Sequence, residues 1–225
     1  MDLYEAMRTS AATRSYTDEP VAPEVLHRIL DHARFAPSGG NRQGQHVIVV
    51  EDPPIRRRLR ELYVLGWREY MAHSAVGLVA FAPVDGTWEG PAVDLEAARR
   101  RESPAHFPDH LEDVPVMLVV VVDLGVLAVM DNGLGRQSIV GGGSVYPFIQ
   151  NILLAARNEG LGGVLTTAIC REEPAVKAIL GIPDGHAVAG LVALGHPRRP
   201  RTRLRRQPVE DFTTIDRFDG TPFTA

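Results

Sequence analysis

A β-sheet layered with helices is the fold class that the sequence predicts, and three observations predict it. Helix-spaced apolar segments alternate with short apolar runs rich in β-branched residues. One of those runs, "VMLVVVVD" at 116–123, is apolar almost throughout, as a strand covered on both faces is. The chain, 225 residues and 44% hydrophobic, is long enough to close a core without disulfides. The alternation alone leaves open whether the strands run parallel or antiparallel.

The elements follow in order. From Pro23, Val25, Leu26, Ile29, Leu30 and Ala33 recur at helical spacing, with proline in a tolerated first-turn position and Pro37 ending the run. "HVIVV" (46–50), stopped by "EDPP", reads as a core strand. Residues 55–81 read as helix, with Leu59, Leu62, Tyr63 and Trp67 on one side. Residues 83–115 carry five prolines and no sustained period, which predicts a lid-like excursion. After the strand at 116–123 comes a glycine-rich loop, then an apolar helix through Phe148, Ile149, Ile152, Leu153 and Ala156 that stops at Gly160. "VLTT" (164–167) reads as strand, 172–180 as a short helix and "HAVAGLVALG" (186–195) as strand. The tail from Pro197 is rich in arginine, and its apolar Val209, Phe212, Ile215, Phe218 and Phe223 need a surface to lie on.

Bulk properties narrow the function. A net charge of -4 argues against nucleic acid or an anionic membrane as the main partner. The longest apolar run is far short of the ~18 residues that span a bilayer. No signal peptide is evident, and the single cysteine, Cys170, fits a buried apolar position in a reducing compartment. A soluble, cytoplasmic protein is expected.

The local motifs point to a bound ligand rather than to protein-borne chemistry. "APSGGNRQGQ" (36–45) places two glycines and several polar side chains directly before a strand, a costly loop unless it cradles something. There is no Walker loop, and "GLGGVL" at 160–165 follows a helix and precedes a strand, the reverse of a dinucleotide fingerprint. Arg14 and Arg206 each flank a short structured segment; either alone reads as surface, and together they form a phosphate handle only if the two segments meet in space. His106 and His110 stand four apart, but Pro108 between them speaks against a helix that aligns the rings, and no third metal ligand is apparent. No Ser-His-Asp order or nucleophile elbow occurs. A ligand cradle without acid, base or nucleophile is expected where a cofactor carries the chemistry.

Taken in order, "TRSYTDEPV", "ILDHARFAPSGGNRQ", "NILLAARNEGLGG", "ILGIPDGHAVAGLVALGHP" and "RRQPVEDF" resemble the successive signatures of the nitroreductase family of flavin enzymes, over nearly the whole chain except 83–115. The resemblance implies one α+β domain over 1–225 with a mixed, mostly antiparallel central sheet flanked by helices, and an intertwined homodimer. It implies FMN at the subunit interface, and the 197–225 tail is expected to pack on the partner subunit. It further implies that Arg14 and Arg206 hold the phosphate, that Ser38, Gly39, Asn41 and Gln43 lie along the ring and ribityl chain, and that Leu165, Thr166 and Thr167 border the ring face. The amides of Asn41 and Gln43 offer both donor and acceptor to a flavin pyrimidine, and Arg42 is a candidate positive charge near its carbonyl end. "SAAT" before Arg14 and Gly44-Gln45 after the loop depart from many relatives.

The function this implies is an NAD(P)H-dependent oxidoreductase passing hydride through flavin N5 to a nitroaromatic, quinone or enone in two half-reactions, with no metal and no catalytic side chain. Flavin fragmentation, dehalogenation or biosynthetic oxidation on the same fold, or a flavin-storage protein closed by the excursion, are the alternatives.

Overall fold

The computed structural model describes residues 1–82, 86–88, 90–102, 104–201 and 203–224; Pro83 and Ser103 of the excursion and Ala225 of the tail lie outside them. Four strands form one sheet: Gln45–Val49 (β1), Val116–Asp123 (β2), Gly162–Thr166 (β3) and His186–Gly195 (β4), in the order β1-β2-β4-β3. All three pairings are antiparallel. The mixed sheet expected from the resemblance is therefore not seen between these strands, and among the described residues parallel pairing occurs at the bridge between Ala12 and Gly163.

The helices are Leu3–Thr9 (α1), Pro23–Ala33 (α2), Pro53–Ala75 (α3), Leu95–Arg100 (α4), His106–Asp109 (α5), Tyr146–Asn158 (α6) and Glu173–Leu180 (α7), and they cover both faces of the sheet, α2 and α6 on one and α3 and α7 on the other. The alternation of side chains along β2 sends Met117, Val119 and Val121 to one face, with Leu59 and Tyr63 of α3 and Val176 of α7. Val116, Leu118, Val120 and Val122 go to the other, with Ile29 and Ala33 of α2 and Ile149, Ile152 and Ala156 of α6. Because helices bury both faces, this antiparallel strand carries the continuous apolar run more familiar from parallel sheets.

Two expectations are corrected. The helix expected over 55–81 starts at Pro53, where the Asp52 carboxylate accepts from Ile55 N–H, and ends at Ala75, where Val76 and Gly77 turn back onto His73 and Ser74 carbonyls. The excursion is not wholly irregular. Asp94 caps α4 by accepting from Ala97 N–H, and α5 forms a helical turn that tolerates Pro108 because so short a helix is all first turn.

The topology sets two corners apart. The 38–43 loop enters β1 at Gln45, which lies opposite Val122 and through it Ala187. The Ala12–Tyr16 segment runs beside Gly163 at the start of β3, where Leu194 is the partner. Three strand spacings across and about seven residues along separate these points, about 14 Å by about 20 Å.

Candidate functional site

The 38–43 loop is built on its own backbone and on one neighbour. Ser38 Oγ accepts from Gln43 N–H at 3.0 Å, and Gln43 Nε2 donates to Asn41 O at 3.3 Å. Gly39 N–H donates to Ser144 Oγ at 3.0 Å. Asn41 and Gln43 sit in the left-handed region (φ 54° and 50°), common enough for asparagine but unusual for glutamine, and such strain collects at ligand sites. Both side chains are exposed. Arg42 reaches back to Val126 O at 3.5 Å.

Ser144 is itself fixed. Asp131, buried, accepts from Ile139 N–H and Ser138 Oγ–H at 2.8 Å, from Arg136 Nη1 at 2.7 Å and from Val140 N–H at 3.3 Å, tying the start of the Val140–Ser144 turn. These donors, the Ile139 N–H foremost, hold the Asp131 carboxyl well below the usual carboxylate range. An open apolar cavity of about 980 Å³ adjoins this turn, walled by Leu127, Ile139, Val145, Tyr146 and Ala187.

The second corner sets Arg14 beside the start of β3. Thr13 N–H donates to Gly163 O at 2.9 Å, which sets the backbone before Arg14. The Arg14 guanidinium lies close enough to oppose, by its charge, the burial that pushes the hydroxyls of Tyr16 and Tyr63 above the usual phenol range. Tyr63 and Thr166 share a hydrogen bond of 3.0 Å, so α3 holds the end of β3. Leu165 and Thr166 are half-buried and Thr167 is exposed. A β-bulge in β4 opposite Val120 and Val121 brings Gly190 under this segment, where a Cβ would lie 2.7 Å from Leu165 Cδ1. The bulged Ala189 gives its carbonyl to Tyr146 Oη–H at 3.4 Å.

No hydrogen bond or ion pair engages the Arg14 side chain among the described residues, and it lines two cavities. Arg198 stands beside it in both, and Arg199 and Arg201 in the larger. Arg206 lines neither; it is exposed and donates to Arg205 O at 2.8 Å. The arginines the structure brings to Arg14 thus come from the start of the tail. His106 and His110, whose alignment Pro108 seemed to preclude, have ring centroids 5.1 Å apart and also face this corner. Groups of three or more metal-ligating side chains do not occur among the described residues. Cys170 packs against the core and donates to Val188 O at 3.2 Å; burial, with the nearby charge of Glu173, pushes its thiol up to about 12, so it stays protonated at neutral pH.

One group escaped sequence reasoning. Glu69 of α3 is fully buried and takes Arg99 Nε of α4 at 2.5 Å and Arg171 Nε at 2.7 Å, while Arg99 also pairs with Glu172. This network ties the excursion and the Ala168–Glu172 turn, which continues from Thr167, to one helix. The signal was present: Glu69 falls on the stripe of Leu59, Tyr63, Gly66 and His73 that faces inward, a charged residue at a core-facing helical position.

An antiparallel sheet covered by helices on both faces defines an α+β protein. Residues 6–196 match the nitroreductase family, and the chain belongs to it. It is 29% identical over 210 residues to an NADH dehydrogenase of Thermus thermophilus, covering 93% of this chain and 94% of that protein. It is similar in structure to the NADPH:FMN oxidoreductase of Vibrio harveyi (TM-score 0.67, 19% identity, 96% of this chain and 78% of the other). It is likewise similar to iodotyrosine deiodinase bound to FMN and 3-iodo-L-tyrosine (TM-score 0.65, 20% identity, 97% and 99%). Across the described residues no helix is long and apolar enough to cross a membrane.

Proposed function

We propose that the protein is an FMN-dependent oxidoreductase working as a homodimer, with each flavin held between the 38–43 loop of one copy and the Arg14 corner of the other. The observation that carries this reading is the separation of the two corners. In one chain they lie on opposite edges and opposite ends of the sheet, and a second copy related by a twofold axis would supply the missing half of each site. Exposed apolar residues accompany it: Leu3, Tyr4 and Met7 on α1, and Phe212, Ile215, Phe218 and Phe223 on the tail, which we place on the partner subunit. Family membership and the likeness to an FMN-bound structure support the choice of cofactor.

The residues fit that group. The unengaged charge of Arg14 suits a phosphate, with Arg198, Arg199 and Arg201 beside it, and we assign Arg206 of the same tail to that phosphate as well. Ser38 fixes the loop, Gly39 and Gly40 let backbone approach a flat ring, and the exposed Asn41 and Gln43 amides match the mixed donors and acceptors of its pyrimidine. Leu165, Thr166 and Thr167 back the ring, kept in place by Tyr63 and by the bulge at Ala189. When bound, FMN supplies two-electron chemistry, being reduced by NAD(P)H and reoxidised by an electron-poor organic acceptor. The chain's own part is to bind, orient and shield; a protein acid is not required where water supplies the protons.

The purified protein is expected to be yellow. Anaerobic NADH or NADPH should bleach its visible band, and a quinone or nitroaromatic should restore it. A protein that takes up FMN yet is bleached by neither nicotinamide contradicts the proposed donor. The likeness to iodotyrosine deiodinase favours one second reading, reductive dehalogenation at the same site. Restoration of the band by a halophenol with halide release, but not by a quinone or nitroaromatic, would select it.

A further inference from the structure

Two cavities share Arg14, Ser15, His106, Phe107 and Arg198 but differ in charge. The smaller, about 260 Å³, also carries Asp18 and Asp113. The larger, about 680 Å³, has no carboxylate in its wall among the described residues and adds Arg199 and Arg201. Arg198 is already paired with Asp18 at 3.1 Å, and His110 with Asp113 at 3.3 Å. Arg14, Arg199, Arg201 and His106 make no ion pair among the described residues. A phosphate monoester brings nearly two negative charges at neutral pH, more than one arginine offsets.

The excursion delivers His106 to this wall by anchoring its neighbours. Phe107 is buried and meets the Tyr63 ring edge-on, with centroids 6.1 Å apart, and Leu111 is fully buried beneath it. Asp109 accepts from Ala105 N–H at 2.8 Å, closing the turn. His106 itself is exposed, so nothing in the core requires an imidazole there.

We infer that the excursion completes the phosphate seat of the flavin: His106 and Arg199 join Arg14 around the phosphate in the carboxylate-free cavity. The 83–115 segment then serves to retain the cofactor rather than to plug the substrate face. This rests on the flavin reading above, and the test separates the two. Riboflavin is FMN without the phosphate, so the apoprotein is titrated with each by flavin fluorescence. His106→Ala and Arg199→Ala are each expected to weaken FMN binding about tenfold and to leave riboflavin binding unchanged, the loss of one hydrogen bond to a charged group. Arg199→Lys should recover part of the loss. Equal weakening for both flavins, or no weakening for FMN in either variant, overturns the inference while leaving the flavin reading intact. A wild-type apoprotein that binds neither flavin overturns that reading, and the inference with it.

Discussion

Replacing Glu69 with alanine is expected to lower the unfolding midpoint by about 6–12 °C, corresponding to about 3 kcal/mol in a chain of this length. Glu69 is fully buried, whereas the side chains of Arg99 and Arg171 keep about a third of their exposure. Removing the carboxylate leaves two guanidiniums that had been desolvated around it, and breaking a buried pair typically costs about 3–5 kcal/mol. Both arginines can partly rehydrate, which places the cost at the lower end. Arg171 would keep its position 4.9 Å from the Phe81 ring, and Arg99 its bond to Glu172, so the fold should persist with a loosened joint. Glu69→Gln keeps an oxygen to accept from one arginine and should lose less. The joint holds α4 and the turn after Thr167, so flavin retention should fall along with the midpoint. Thermal unfolding followed by circular dichroism checks this, and a midpoint within 2 °C of wild type contradicts it.

Gly66→Ala should also destabilise the protein, by about 1–2 kcal/mol, although helix propensity by itself predicts a gain of about 1 kcal/mol from glycine to alanine inside a helix. A Cβ at position 66 would collide with the carbonyl oxygen and carbon of Ala168. Both partners are backbone, so no side chain can rotate away, and overpacking of this kind costs about 1–3 kcal/mol or more. The relief is a shift of α3 away from Ala168, which also pulls on the Tyr63 to Thr166 hydrogen bond. A urea midpoint and bound-flavin content measured on the same samples decide the sign. A variant more stable than wild type, with full flavin, would show that the helix-to-turn contact gives way without cost.

Much of the fold was legible because its strongest signals are local. The inner strands at 116–123 and 186–195 stand out as apolar runs whose limits match the structure, and α2 and α6 follow helical spacing that ends where proline or glycine ends it. Strand direction was not legible, because helices on both faces erase the alternation that marks an antiparallel sheet. The polar loop at 38–43 showed itself through glycines and amides that a plain turn does not need, whereas the corner around Arg14 is made by chain segments about 180 residues apart in sequence, Ser15 and Arg198 among them. The resemblance pointed to Arg206, and the path of the tail, with Arg198 N–H bonded to Ser15 O at 3.1 Å, adds Arg198, Arg199 and Arg201 beside Arg14. Pro108 misled for a physical reason: proline breaks a long helix, but a single turn has no earlier carbonyl for its ring to strike.

Subunit complementation tests the shared cradle most directly. Arg14→Ala and Asn41→Ala lie on opposite corners, and each variant alone should lose FMN on gel filtration, Arg14→Ala by a contact worth about 1.5–3 kcal/mol. In a mixed dimer of the two, one site carries both defects and the other carries neither, so random pairing on co-expression should restore FMN to about a quarter of the sites. Recovery to that level places Arg14 and Asn41 on one flavin from two different chains, whereas a co-expressed mixture as empty as its parents would mean that each chain builds its site alone.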